Sequence, residues 1–178
     1  MAKLKTSLWG RRPEQELLKT IFCSDKAEFL ALYGRRRVGK THLIREFFKN
    51  KGVYFEVIGL KGGSLKDQLA LFRESFQRAF YPDLRIAVPP NWQEALCMLT
   101  REMEKKRAKK VILFFDELPW LASPRSGLIQ QIDHCWNSRW SQMKNLILIV
   151  CGSAASWMLE KLIHAKGGLH NRLTRIHT

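Results

Sequence analysis

Gly34-Arg35-Arg36-Arg37-Val38-Gly39-Lys40-Thr41 stands between an apolar run, Phe29-Leu30-Ala31-Leu32-Tyr33, and a stretch with Leu43, Ile44, Phe47 and Phe48 at helical spacing. It reads as a phosphate-binding loop of the form G-x-x-x-x-G-K-T. The glycines let the backbone curl and approach an anion, the lysine serves the β and γ phosphates, and the hydroxyl of Thr41 serves Mg²⁺. The helix that follows adds unpaired N–H groups and its positive dipole end to the same anion. A basic turn between a strand and a helix is the bland alternative, and the rest of the chain bears on that choice.

On either side the sequence alternates strand and helix. Upstream, Leu8-Trp9-Gly10-Arg11-Arg12-Pro13-Glu14 reads as a turn at Gly10 and a helix with Pro13 near its first position, supported by apolar Leu17, Leu18, Ile21 and Phe22. Residues 28–33 are apolar almost throughout, as burial on both faces of a parallel sheet requires, and the loop's helix is expected to run to about Asn50. A second strand is predicted over 53–58. Ser64 with Asp67 then opens a capped helix carrying Leu65, Leu69, Phe72, Phe76 and Phe80 on one face. Asn91 with Glu94 repeats that signature before a helix whose buried face is Trp92, Leu96, Leu99 and Met103. Residues 111–115 form a third strand that runs into Asp116-Glu117 and is stopped by Pro119. There follow a helix with Ile129, Ile132, Trp136 and Trp140 on one stripe, a strand over 146–150 ending at Cys151-Gly152-Ser153, and a helix over about 155–163.

This alternation predicts an α/β fold: right-handed crossovers, a parallel sheet and helices on both faces. Ligands of such sheets bind outside the carboxyl ends of the strands. The 34–41 loop, Asp116-Glu117 and Gly152-Ser153 therefore converge on one edge.

Composition sets the wider frame. The 178 residues, 46% hydrophobic and 26% charged, suit one globular domain over the whole chain, residues 1–178. The longest apolar runs, 111–115 and 146–151, fall far short of the roughly 20 residues of a membrane span, and Met1-Ala2-Lys3-Leu4-Lys5-Thr6 has no signal core. The expectation is a cytoplasmic protein without a membrane partner. Cys23, Cys97, Cys135 and Cys151 are widely spaced, which suggests buried free thiols and neither zinc nor disulfides. A net charge of +15 suits a polyanionic partner such as DNA, although Lys105-Lys106-Arg107-Ala108-Lys109-Lys110 also reads as solvated helix-end charge.

The chemistry of the three strand ends is that of a nucleoside triphosphate. Lys40 would neutralise phosphate charge, while Thr41 and Asp116 would hold Mg²⁺. Glu117, next after the metal acid, is placed to polarise an attacking water. Ser153 is open to two roles, a hydrogen bond to the water or γ phosphate, or a helix N-cap. Arg172, after Gly167-Gly168, is open to charge stabilisation in the transition state or to a surface ion pair. Arg35, Arg36 and Arg37 face phosphate or a neighbouring element. Cys151 lacks the adjacent histidine that a thiol nucleophile needs.

Trp9-Gly10-Arg11, the 33–41 stretch, Phe115-Asp116-Glu117-Leu118-Pro119-Trp120, Cys151-Gly152-Ser153, Gly167-Gly168 and Asn171-Arg172-Leu173 together resemble the archaeal and bacterial AAA+/STAND-type P-loop ATPases. The likeness covers nearly the whole chain. It implies a three-layer αβα sandwich with strand order 5-1-4-3-2. It also implies a nucleotide held by residues 34–41 with Trp9, Gly10 and Arg11 near the adenine, Glu117 as catalytic acid, Ser153 at the sensor 1 position and Arg172 as the motif arginine. Such proteins continue into a helical lid or winged-helix segment and, in many, a nuclease-like effector domain. Here the fifth strand begins at Arg175-Ile176-His177, so the reading is a nucleotide-binding module shortened before its lid, with homo-oligomer or effector partners left open.

The leading function is Mg-ATP binding with ATPase chemistry, as a switch or motor for a partner. A P-loop kinase would not need an acid directly after Asp116. A GTPase is disfavoured because N-K-x-D is absent and no glycine completes D-x-x-G after Asp116. A DNA-associated binding module and a fragment that binds nucleotide without hydrolysis remain as alternatives.

Overall fold

Successive residues of the long strands face opposite layers, and the apolar content of both faces is what buries the sheet on both sides. In β1 (Glu28–Tyr33), Phe29 and Ala31 join one core cluster while Leu30 and Leu32 join the other. The same alternation runs through β3 (Val111–Asp116) and β4 (Leu146–Gly152), with Leu113 and Leu148 in the first cluster, Ile112 and Ile147 in the second. The second cluster is closed by α1 (Arg12–Cys23) and α2 (Lys40–Phe48), the first by α3 (Leu65–Phe80), α4 (Trp92–Lys105) and α6 (Leu128–Ser138). This is a three-layer αβα sandwich. The computed structural model describes residues 11–35, 37–106, 109–163 and 175–177.

The sheet has the order β2-β3-β4-β1-β5, where β2 is Val53–Ile58 and β5 is Arg175–His177, and every pairing is parallel. Read from the other edge this is 5-1-4-3-2. Leu30 pairs with Arg175 and Leu32 with His177, so the fifth strand lies beside the second half of β1. Among the described residues no helix is long and apolar enough to cross a membrane.

The caps form as their residues demand. Ser64 accepts from the amide of Asp67 and Asp67 accepts in return from the amide of Ser64, a complete capping box, and Asn91 accepts from the amide of Glu94. The aromatic stripe of α3 packs inward: Phe72 lies 5.4 Å from Phe55 of β2 and 5.8 Å from Trp92 in an edge-on contact.

Several expectations change. Pro119 ends no strand directly; it opens a one-turn helix, α5 (Leu118–Leu121), where its missing N–H needs no partner. The helix after the 34–41 loop stops at Phe48, before Asn50, whose φ of 60° is left-handed. Trp140 is not on the stripe of α6. That helix ends at Ser138, and Trp140 is buried from the following 3-10 turn, its indole N–H donating to Thr100 at 2.8 Å. The last helical segment divides into α7 (Ala155–Met158) and a π turn over Leu159–Ile163. Of the four thiols only Cys151 is buried, and Cys23 is exposed.

Candidate functional site

The carboxyl ends of β1, β3 and β4 are neighbours in the sheet, and each ends in the polar residues the sequence singled out. After β1 the chain turns through Gly34, with φ 135°, and Arg37, with φ 61°, and enters α2 from Gly39 at φ 78°. Among the described residues no side chain caps α2, so its first N–H groups are left for another acceptor. Lys40 folds back across the loop and donates to the carbonyls of Gly34 at 3.0 Å and Arg35 at 2.7 Å.

Thr41 joins the loop to β3 by donating its hydroxyl to Asp116 at 2.7 Å. Asp116 is 4% exposed and also accepts from the backbone N–H of Glu117 at 3.0 Å. None of the ion pairs among the described residues includes it. Glu117 stands at φ 48°, a conformation rare outside glycine. This turn aims its carboxylate at β4, where Ser153 donates from its hydroxyl at 2.9 Å and from its backbone N–H at 3.3 Å. The N-cap position of α7 falls to Ala154, and the hydroxyl of Ser153 serves Glu117. Thr41, Asp116, Glu117 and Ser153 thus form one chain from the first turn of α2 to the ends of β3 and β4.

Two cavities flank the loop. On the β3 side about 480 Å³ is lined by Lys40, Thr41, Asp116 and Glu117 with Arg37 and Trp120. On the α1 side about 260 Å³ is lined by Arg11, Glu14, Tyr33, Gly34, Arg35 and Val38. Arg11 also reaches Gly39, where a Cβ would lie 3.4 Å from its guanidinium. The loop residues, Arg11, Asp116, Glu117 and Ser153 therefore share one edge. Trp9, Gly10, Arg36 and Arg172 lie outside the described residues. A larger cavity of about 760 Å³ opens at the amino ends of the strands, beside Lys110 and Asn145. It lacks the loop and the carboxylates.

His42, Arg45 and Cys151 also line the β3-side cavity and had not been singled out as phosphate ligands. Arg45 is four residues beyond Thr41, one turn along the same helix face, which is the signal that would have found it. It is held by Glu56 of β2, whose carboxylate accepts from Nε at 2.8 Å, and this bond raises its pKa. Cys151 is no nucleophile: burial first, then the charge of Asp116, pushes its thiol far above the ordinary range.

Comparison with known proteins bears on the family and the fold. The family model described as an ATPase domain predominantly from Archaea matches residues 9–178. The uncharacterized protein MJECL04 of Methanocaldococcus jannaschii is 26% identical over 167 residues, 93% of this chain and 34% of that protein. From the same organism, the uncharacterized ATP-binding protein MJ0423 is 49% identical over 44 residues, 25% of this chain and 75% of that protein. Among solved structures, the Walker-type ATPase Paby2304 of Pyrococcus abyssi superposes with a TM-score of 0.66 at 19% identity, covering 93% of this chain and 51% of that one. Cdc6p from Pyrobaculum aerophilum gives 0.60 at 14% identity, covering 98% and 47%. These two structures share the fold, and the chain spans about half the length of each.

Proposed function

The chain belongs to the ATPase domain family found predominantly in Archaea, and from that premise we propose that it binds Mg-ATP at the carboxyl edge of its sheet and hydrolyses the γ phosphate. The observation that carries this reading is the hydrogen-bonded chain Thr41–Asp116–Glu117–Ser153 beside the 34–41 loop. The triphosphate would lie against the loop and the uncapped end of α2, drawing Lys40 off the carbonyls it now holds.

Mg²⁺ fits the donors present. A hydroxyl and a carboxylate 2.7 Å apart are hard oxygen ligands, and Asp116 is buried with neutral hydrogen-bond donors. When bound, the ion would neutralise charge on the phosphates. Glu117 would orient a water and accept its proton, and Ser153 would fix the carboxylate until the water is in place. Arg35, Arg37 and Arg11 supply further positive charge around the phosphates. Trp9, Gly10 and Arg36 would complete the binding set, and Arg172 would stabilise transition-state charge from its own or another subunit.

Phosphate release is the test. Wild type should turn over Mg-ATP, and Ser153→Ala should slow turnover while leaving ATP affinity unchanged. Equal rates in both would contradict the role given to Ser153. The larger role is that of a switch or motor acting on a partner, through an effector domain or a homo-oligomer.

A second reading, association with DNA, is favoured by the net charge of +15. It is also favoured by likeness to a structure of Drosophila ORC bound to DNA, with a TM-score of 0.59 at 14% identity over 86% of this chain and 40% of that one. A gel shift that weakens steeply with salt supports it; no shift at low salt removes it.

A further inference from the structure

A second face of the molecule carries polar and apolar groups that the nucleotide site does not use. Residues 81–91 join α3 to α4 without helix or strand, and there Leu84 is 56% exposed and Val88 43%. Two adjoining cavities of about 750 and 500 Å³ share Arg85 and Ile86. Phe76, Leu84 and Met98 give the larger an apolar lining, and its polar residues include Arg101 and Lys105 together with Glu102 and Glu104, the latter met by Arg139 at 3.7 Å. The smaller adds Arg73 and Val88. No residue of this pair lines either cavity beside the 34–41 loop.

Two independent observations mark this face as incomplete. On α3, Arg73, which lines the smaller cavity, has its Nε buried without a hydrogen-bond partner among the described residues. The charges are also unbalanced. Lys105 is matched by Glu102 at 2.6 Å, which also accepts from the hydroxyl of Tyr81 at 2.7 Å, and Arg73 reaches Glu74 at 3.5 Å. Arg85 and Arg101 make no ion pair among the described residues.

We propose that this groove docks an acidic amphipathic segment of a partner protein. Its apolar side chains cover Leu84, Ile86 and Val88, and its carboxylates meet Arg85 and Arg101. The chemistry separates this occupant from the others. A second copy of the chain would bring a further +15 to a cationic rim. Nucleic acid would satisfy the arginines but leave Leu84, Ile86 and Val88 wet, and of the two aromatic residues lining the groove Phe76 is buried, leaving Tyr81 alone for stacking against a base. An acidic segment with apolar anchors answers both halves of the surface, and the charge of the whole chain steers it inward.

The test uses the whole chain and a fluorescein-labelled helical peptide of about 15 residues with Leu on one face and Glu on the other. Control peptides replace every Glu by Lys, or every Leu by Ser. By fluorescence anisotropy the Leu/Glu peptide should bind about tenfold or more tightly than either control. The double variants R85E/R101E and L84S/V88S should each lose about tenfold or more, with unchanged thermal midpoints and unchanged binding of a fluorescent ATP analogue. The proposal is overturned if the Leu/Glu peptide does not bind, or if both variants bind it as wild type does. It is equally overturned if a single-stranded oligonucleotide displaces the peptide and L84S/V88S binds both normally. Because ATP binding is read in the same samples, failure here is distinct from failure of the nucleotide site.

Discussion

At the carboxyl edge of the sheet the backbone leaves regular geometry beside Lys40, Thr41 and Asp116, with Arg37 at φ 61°, Gly39 at 78° and Glu117 at 48°. Over α3 and α4 the reverse holds: both helices start on side-chain caps, and Phe72, Phe76 and Trp92 pack in regular order. One region keeps strained turns and an uncapped helix end, and the other uses each local preference to stabilise the layer. Local irregularity thus coincides with chemistry, and local consistency with stability. Substitutions at the edge should change turnover and spare the midpoint. Those in the layer should do the opposite.

The largest effect expected is at Glu117. Glu117→Gln keeps the size and the left-handed turn but removes the base, so phosphate release should fall by about 10²–10⁴-fold while ATP binding persists. Turnover within a few-fold of wild type would break the comparison at its functional end. Next is Trp92, fully buried against Phe72. Trp92→Ala should cost about 3–5 kcal/mol in a denaturant titration. Trp92→Phe should cost far less, since it also discards an indole N–H that has no partner among the described residues.

Gly59 joins the two regions. Its N–H extends the ladder to the carbonyl of Asp116 at 2.9 Å, and a Cβ there would lie 2.6 Å from the carbonyl oxygen of Glu117 and 2.8 Å from the amide of Leu121. Gly59→Ala should cost about 1–3 kcal/mol and, unlike the substitutions in the layer, should slow turnover as well. The smallest effect is at the cap of α3. Ser64→Ala should lower the thermal midpoint by about 2–4 °C with unchanged turnover.

The same cap has a pH signature. The hydroxyl and backbone N–H of Ser64 hold the Asp67 carboxyl below its ordinary value. That contribution is complete above the unfolded pKa and disappears as pH falls through the lower folded one. Ser64→Ala should therefore flatten the acid limb of the stability profile.

How much of this was legible differs between the regions for the same reason. β1, β3 and β4 could be read from nearly continuous apolar runs, and the caps of α3 and α4 from residues three apart, because these are local signals. Trp140 was misread because its spacing continues the stripe of α6, whereas Arg139, at φ −143°, has already left the helix. At the edge the residue types were legible: G-x-x-x-x-G-K-T and an acid pair after a strand. The left-handed turn at Glu117 was not, nor were the bond from Ser153 and the grip of Glu56 on Arg45, since neither contact follows from local spacing. Strand order came from resemblance to a family; alternation of elements fixes a parallel sheet but not its permutation. The groove beside residues 81–91 had no sequence signature, because its parts lie on two helices and the segment between them.

The central claim is that the 34–41 loop holds the phosphates of a nucleotide, and a thermal-shift titration of wild type and Lys40→Ala with Mg-ATP tests it most directly. A ligand that binds only the folded state raises the midpoint with its concentration. The midpoint of wild type should rise and keep rising as Mg-ATP increases, and that of Lys40→Ala should stay flat. An equal rise in both proteins would contradict the claim.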